Sequence, residues 1–276
     1  ETYAECGLAF CWIMLERIDQ ARPLLDHMEA RARRLGNPQL VADALSRRAV
    51  IDYTAGRYAE IEATCRELEG EFAQLTHVNV TAAPRSMLMS AEAVRGRGLV
   101  HEAAARELLG AYLRSGEIQH VPLIIGALAD ILIATDRAAG AEPMLAELAG
   151  LVEPYPYFRV RTRHRRALVA MALDDRATAR ELLDRTAEDT SAIGNLATGA
   201  ETAILLAVLD RRDRRHRAAF DHAWAGASGA AVLGAEQTLA AALEVLAALL
   251  ADTDRHQAAA RLLGAAGAAR ARAAVI

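Results

Sequence analysis

An alanine pair twelve residues apart, with a turn between its members, returns seven times along this sequence. The copies are Ala9/Ala21, Ala49/Ile61, Ala91/Ala103, Ala129/Ala141, Ala167/Ala179, Leu206/Ala218 and Ala247/Ala259. They start 38 to 42 residues apart, and twelve of the fourteen places hold Ala. A fixed period of this size marks a helical-repeat solenoid, since each hairpin buries its apolar face only by stacking on the next. The pattern predicts an all-α chain and weighs against a compact enzyme.

The second copy shows how one repeat is read. Val41 to Ala55 is helix A, Gly56-Arg57 the turn and Tyr58 to Leu75 helix B. Small residues at the crossing near so short a turn let the two backbones approach. A larger apolar residue follows on the same helix-B face, one turn on, at Leu25, Cys65, Leu145, Leu183 and Leu263. Glu107 and His222 break this rule in the third and sixth copies. Turns are expected at Glu16-Arg17, Gly56-Arg57, Gly98-Leu99, Asp136-Arg137, Asp174-Asp175, Asp213-Arg214 and Asp254-Arg255. Gly suits a left-handed helix end and Asp an N-cap. Gly36-Asn37-Pro38, Pro84, Ser115-Gly116, Pro154-Tyr155-Pro156, Gly194-Asn195 and Gly226 to Gly229 are read as breaks between repeats. In this register Ala129 lies at a crossing and Ala138 on an exposed face.

Composition narrows the function classes. Hydrophobic residues are 53% and aromatics 4%, an Ala/Leu-rich helical profile. All 32 basic residues are Arg, so neither a lysine Schiff base nor a P-loop lysine lies in this sequence. The net charge of -4 gives no basic field for nucleic acid or anionic lipid. Cys6, Cys11 and Cys65 have no metal-ligand spacing and are read as buried, reduced thiols of a cytoplasmic protein. Asn79-Val80-Thr81 would be a glycosylation acceptor only in a secreted chain, and no signal peptide or 18-residue apolar run is evident. Both ends lie in helical-looking sequence, as expected of a piece of a longer polypeptide.

The pattern resembles the tetratricopeptide repeat. Ala49, Gly56, Tyr58 and Ile61 occupy that family's small, turn, post-turn and helix-B places, as do Ala129, Asp136, Ala138 and Ala141. The period is nearer 40 than 34, and the proline that usually closes helix B is missing. The expectation is one right-handed α-solenoid over residues 1–276, of about seven hairpins, with 153–158 as the place for a sub-boundary. A second resemblance is narrower. Arg255 to Ala266 is similar to the end of the repeat region in large actinobacterial LuxR-type (MalT-like) regulators. That resemblance implies a non-catalytic sensor or coupling region. Its partners would be an ATPase and a helix-turn-helix module of the same polypeptide, neither within these residues, and a protein, peptide or small-molecule effector. No cofactor, membrane contact or direct nucleic-acid contact is expected, and a homodimer is allowed. A stand-alone peptide- or protein-binding scaffold is the alternative, and an α/α-barrel hydrolase using carboxylates such as Glu153, Glu188 and Glu201 a remote one.

Nucleotide-loop, nucleophile-elbow and zinc-protease motifs are absent from the sequence, and His216 and His222, six apart, do not share a helix face. The densest polar cluster is Arg159, Arg161, Arg163, His164, Arg165 and Arg166, after Tyr157-Phe158. Arginine forks suit carboxylates and phosphates, and the aromatics could stack on a ligand. Equally, the cluster reads as a solvated face paired with acids of neighbouring helices. Arg211 to Arg217 is read as a solvated turn. Because helix-A residues of the resembled family line the concave surface, the candidate contacts are Arg47, Arg48, Arg159, Arg163, Arg166, Tyr157 and Glu201.

Overall fold

A computed structural model describes residues 2–72, 79–116 and 120–273. Among these residues all regular structure is helical. The chain is an all-α, TPR-like solenoid. It divides into two compact units: Glu1–Tyr53 with Arg57–Val152, and Glu153–Ile276 with Thr54–Gly56. The first unit carries α1 (Thr2–Met14), α2 (Ile18–Arg34), α3 (Pro38–Thr54), α4 (Tyr58–Gly70), α5 (Asn79–Val94), α6 (Glu102–Ser115), α7 (Val121–Ala134) and α8 (Glu142–Val152). Leu75, the expected end of the second copy's helix B, lies outside the described residues. The second unit carries α9 (Pro156–Ala172), α10 (Arg176–Ile193), α11 (Leu196–Arg212), α12 (His216–Leu233), α13 (Glu236–Ala251) and α14 (His256–Arg272).

Each hairpin turns on one residue with positive φ: Glu16, Gly56, Gly96, Asp136, Asp174, Arg214 and Asp254. These stand 40 apart, with a single step of 38 from Asp136 to Asp174. The amide after each donates back to the carbonyl five residues earlier, from Arg17 to Trp12 (2.8 Å) through Arg255 to Leu250 (2.9 Å). This is the Schellman closure, which satisfies carbonyls the helix end would otherwise orphan. A non-glycine residue in that conformation costs about 1–2 kcal/mol. The breaks between hairpins use glycine instead, at Gly36, Gly116, Gly194 and Gly234. Asn37 and Asn195 then cap the following helices through the amides of Leu40 and Thr198.

These turns correct the sequence register in two copies. In the sixth, the crossing pair is Ala207/Ala219, both fully buried, rather than Leu206/Ala218. Ala223, also fully buried, then takes the place one turn on, so His222 no longer breaks the rule. In the third copy Gly96, not Gly98, holds the left-handed turn. Met89 takes the helix-A place, and a 3-10 segment, Gly98–His101, delays α6 so that Ala105 is buried and Ala103 exposed. A Cβ at Gly98 would lie 2.8 Å from the Ala93 Cα, which is why this close approach holds glycine. Ala138 is buried rather than exposed, because the 3-10 turn Ala138–Gly140 tucks it inward. At the other crossing positions the register holds: Ala9, Ala21, Ala49, Ala129, Ala141, Ala167 and Ala179 are fully buried. Two expected breaks are not breaks, since Pro84 lies inside α5 and Gly226 to Gly229 inside α12, and Leu263 on α14 is exposed rather than inward.

The core is aliphatic. Leu25, Met28, Leu45, Ile51, Ile61 and Leu68 fill the first hairpins, and Ile124, Leu128, Ile131, Leu145 and Leu148 the fourth. Two buried carboxylates interrupt this pattern at one repeat position, four before the turn residue. Asp52 is 2% exposed and takes Arg22 (2.8 Å) and Arg57 (2.8 Å). Asp210 is 1% exposed and takes Arg180 (2.8 Å) and Arg215 (2.7 Å). The arginine after each turn residue thus anchors the turn to the helix it leaves, while the other arrives from the preceding hairpin.

Candidate binding surface

The sequence candidates fall in separate places. In the first unit, Arg47 donates from Nε to the Cys6 Sγ (2.9 Å) and lies over the Phe10 ring (5.1 Å). Arg48 faces α2 instead, donating to the Glu29 carboxylate (2.6 Å). Near them Asp43 is held above the usual carboxylate range by its burial, which the charge of Arg47 and a hydrogen bond with Gln39 only partly oppose. Of the three cysteines expected to be buried, Cys6 and Cys65 are, but Cys11 is exposed, because it falls on the outer side of α1. Burial pushes the Cys65 thiol up to about 12, so it stays an unreactive thiol at neutral pH.

In the second unit α9 starts on Pro156, whose fixed φ suits a first helical turn. Its buried residues are Val160, Thr162, His164, Ala167, Val169 and Ala170, so the arginines between them fall on two stripes. One stripe is Arg159, Arg163 and Arg166. Arg163 donates to the Asp189 carboxylate of α10 (2.7 Å) and to the Arg185 carbonyl (3.2 Å). Arg159 reaches the same carboxylate (3.4 Å) and donates to the Glu153 carbonyl (2.9 Å). Burial alone would raise Asp189; the Arg163 hydrogen bond and the two guanidinium charges outweigh it and hold the carboxyl below its ordinary range. These two arginines therefore join α9 to α10.

The other stripe is Tyr157, Arg161, Arg165 and Leu168, at i, i+4, i+8 and i+11, all half-buried. Arg161 lies over the Tyr157 ring (5.8 Å), which in turn meets Phe158 edge-on (5.3 Å). Forty residues on, the repeat places Ala197, Glu201, Leu205 and Val208 along α11. His164 links the two helices: its Nδ1 pairs with the Thr202 hydroxyl (3.1 Å) and its Nε2 lies 3.7 Å from Glu201. Of the sequence candidates, Tyr157 and Glu201 lie on these stripes. Arg161 and Arg165 belong there too. Their i+4 spacing from Tyr157 is the signal that selects them over Arg159 and Arg163.

Such a face can present guanidinium forks, an aromatic ring and one carboxylate to a ligand. Of the carboxylates named for a hydrolase, Glu153 and Glu188 are exposed, Glu188 on α10, and Glu201 is half-buried on α11. Among the described residues no cluster of metal-ligand type is present and no helix is long and apolar enough to cross a membrane.

The repeat geometry defines an all-α helical-repeat solenoid of the TPR-like kind. No family profile matches the chain, and no curated protein matches it. Among solved structures it is similar to a Rap protein complexed with competence and sporulation factor. The likeness covers 99% of this chain and 98% of that one, at 12% identity and a TM-score of 0.55. At that identity the two share the fold.

Proposed function

We propose that the chain is a non-catalytic repeat scaffold that binds a peptide or protein on the first-helix face of its second unit. Tyr157, Arg161 and Arg165 receive carboxylate-bearing side chains, and Glu201 sets polarity along that face. The observation carrying this reading is the half-buried Tyr157–Arg161–Arg165 stripe on a fold like that of a Rap protein complexed with competence and sporulation factor. Bidentate guanidinium–carboxylate contacts supply orientation as well as attraction. Within that reading we place the chain in a bacterial transcription regulator, where effector binding biases an attached ATPase or DNA-binding module. The Arg255 to Ala266 segment supports that placement.

A thermal-shift titration with a hexaglutamate peptide, inorganic phosphate and ATP tests the site. A ligand binding only the folded chain stabilises it by about 2.7 kcal/mol at a hundredfold excess over Kd. The peptide is expected to raise Tm, and Arg161→Ala with Arg165→Ala to remove the shift while Arg159→Ala leaves it. A shift that survives loss of Arg161 and Arg165 would sink this site.

A further inference from the structure

The first-helix face of the second unit changes chemistry from one helix to the next. Nine residues before the positive-φ turn residue, α9, α11 and α13 carry Arg165, Leu205 and Val245. Thirteen before it they carry Arg161, Glu201 and Ala241. All six are half-buried. The three helices are neighbours along this face. His164 of α9 meets Thr202 of α11 (3.1 Å), and Leu205 packs against the cluster holding Ala167 and Ala170 of α9. Ala241 and Val245 of α13 pack against the cluster holding Ile204 and Ala207 of α11. The face thus runs from two arginines on α9, through one acid and a leucine on α11, to aliphatic side chains on α13. Gln237, one turn earlier on α13, meets Gly56 of the same unit, where a Cβ would lie 3.7 Å from the Gln237 Cβ; the α13 row therefore starts at Ala241.

Packing does not impose this change. The place of Leu205 and Val245 holds Arg165 on α9 and Arg47 on α3, so the repeat accepts a charged side chain there. Val208, three residues after Leu205 and also half-buried, extends the apolar surface along α11. Charges beside the face are engaged within the unit. Arg159 and Arg163 reach Asp189 of α10 (3.4 and 2.7 Å), and Arg166 shares their stripe. The α13 acids Glu236 and Glu244 take Arg272 (2.7 Å) and Arg270 (2.8 Å) of α14. Between Leu196 and Leu209, Glu201 is the only charged residue of α11.

Resting on the reading that this face binds a peptide, we infer that its ligand is an extended peptide with acids at one end and two aliphatic side chains beyond them. The acids meet Arg161 and Arg165, the first aliphatic side chain meets Leu205 and Val208, and the second meets Val245. Packed helices stand about 8–10 Å apart and an extended chain advances about 3.3 Å per residue, so the three places fall about three residues apart. Glu201 repels an acid at the middle place, which fixes the register. The ligand class is therefore narrower than an acidic peptide.

The probes are labelled nine-residue peptides titrated into the full chain and read by fluorescence anisotropy. The parent is Glu-Glu-Ser-Ser-Leu-Ser-Ser-Leu-Ser, used with its reversed sequence, a counterpart with serine for both leucines, and one with glutamate for the middle leucine. The parent or its reverse should bind at least tenfold tighter than the serine counterpart, and the middle-glutamate peptide should recover affinity in Glu201→Gln. Leu205→Ser/Val245→Ser should remove the leucine gain, with circular dichroism unchanged and the hexaglutamate shift in Tm retained. Leu205→Arg/Val245→Arg places a side chain that the repeat already accepts, and covers a serine variant that fails to fold. It should also lose the leucine gain while binding hexaglutamate more tightly. Equal binding of leucine and serine peptides, with both still lost in Arg161→Ala/Arg165→Ala, would overturn the apolar register and leave the acidic face standing. Leucine-peptide binding that survives loss of both arginines would overturn the face as well, and a flat titration with both leucine peptides would overturn the inference even where hexaglutamate raises Tm.

Discussion

Asp52 in the first unit and Asp210 in the second solve one problem in two ways. Both stand four residues before a left-handed turn residue, both are almost wholly buried, and both hold the arginine after the turn and one from the preceding hairpin. They differ in the second helix of the repeat. Eight residues after the turn residue the first unit has Thr64, buried, and the second has His222, half-exposed and 2.7 Å from the Asp210 Oδ2. Asp52 depends on arginine alone; Asp210 has a third partner. The same position holds Trp12, Leu132, Ala170 and Leu250 in other copies, so the repeat itself does not require an acid. The third copy has Glu92 there, half-buried, and it too takes two arginines, Arg95 (3.2 Å) and Arg97 (2.6 Å). The acid is tolerated only where two arginines converge on it.

The comparison breaks most visibly when the arginines go. A buried carboxylate stripped of its cations costs about 3–5 kcal/mol, because its desolvation is no longer offset. Arg22→Ala/Arg57→Ala should therefore unfold at markedly lower denaturant. Arg180→Ala/Arg215→Ala should lose less, since His222 still faces Asp210. Asp210→Leu should cost less than either, because its arginines are 23% and 52% exposed and can turn to water. Denaturant midpoints of the three variants order these effects, and a larger loss from Asp210→Leu than from removing its arginines would end the argument.

The third partner is a smaller effect. His222→Thr copies the Thr64 arrangement into the second unit and removes one hydrogen bond to a charged group, worth about 1.5–3 kcal/mol at most and less at this half-exposed ring. Added to Arg180→Ala/Arg215→Ala, it should bring that variant down to the level of its first-unit counterpart. If the gap between the two double variants persists without His222, the histidine is not what separates them.

Much of the fold is written in the alanines. Pair spacing sets the hairpins, because only small side chains let helices cross so near a turn, and Ala9, Ala49, Ala129 and Ala167 are buried as the period requires. Two copies slip because the signal that sets register is backbone conformation rather than side-chain size. Arg214 and Gly96 carry the positive φ, and an arginine there gives no compositional warning. The proposed binding face overlaps the sequence candidates in part: Tyr157 and Glu201 lie on its two stripes, whereas Arg159 and Arg163 lie on the stripe paired with α10. In a run of alternating arginines, the stripe that pairs with α10 is decided by Asp189, 26 residues from Arg163. The arginine-braced acids Asp52 and Asp210 are only partly legible, since each needs one arginine, Arg22 or Arg180, brought from the preceding hairpin.

The smallest effect separates the units by sign. Asp189 is lowered in the folded chain, burial being outweighed by Arg163 and Arg159; Asp43 is raised, chiefly by its own burial. A depressed carboxylate contributes stability that is full above its unfolded pKa, about 3.9, and is lost as pH falls through the folded value. A raised one does the reverse: it costs stability above its folded pKa, and the cost disappears on acidification. Asp189→Asn should therefore lower Tm at pH 7 and become neutral in acid. Asp43→Asn should raise Tm slightly at pH 7, with the gain vanishing as the wild-type carboxyl protonates. Tm measured from pH 7 down to pH 3 gives both slopes. Slopes of the same sign would mean that Arg47 pairs with Asp43 as fully as Arg163 does with Asp189, and that the two units treat a half-buried acid alike.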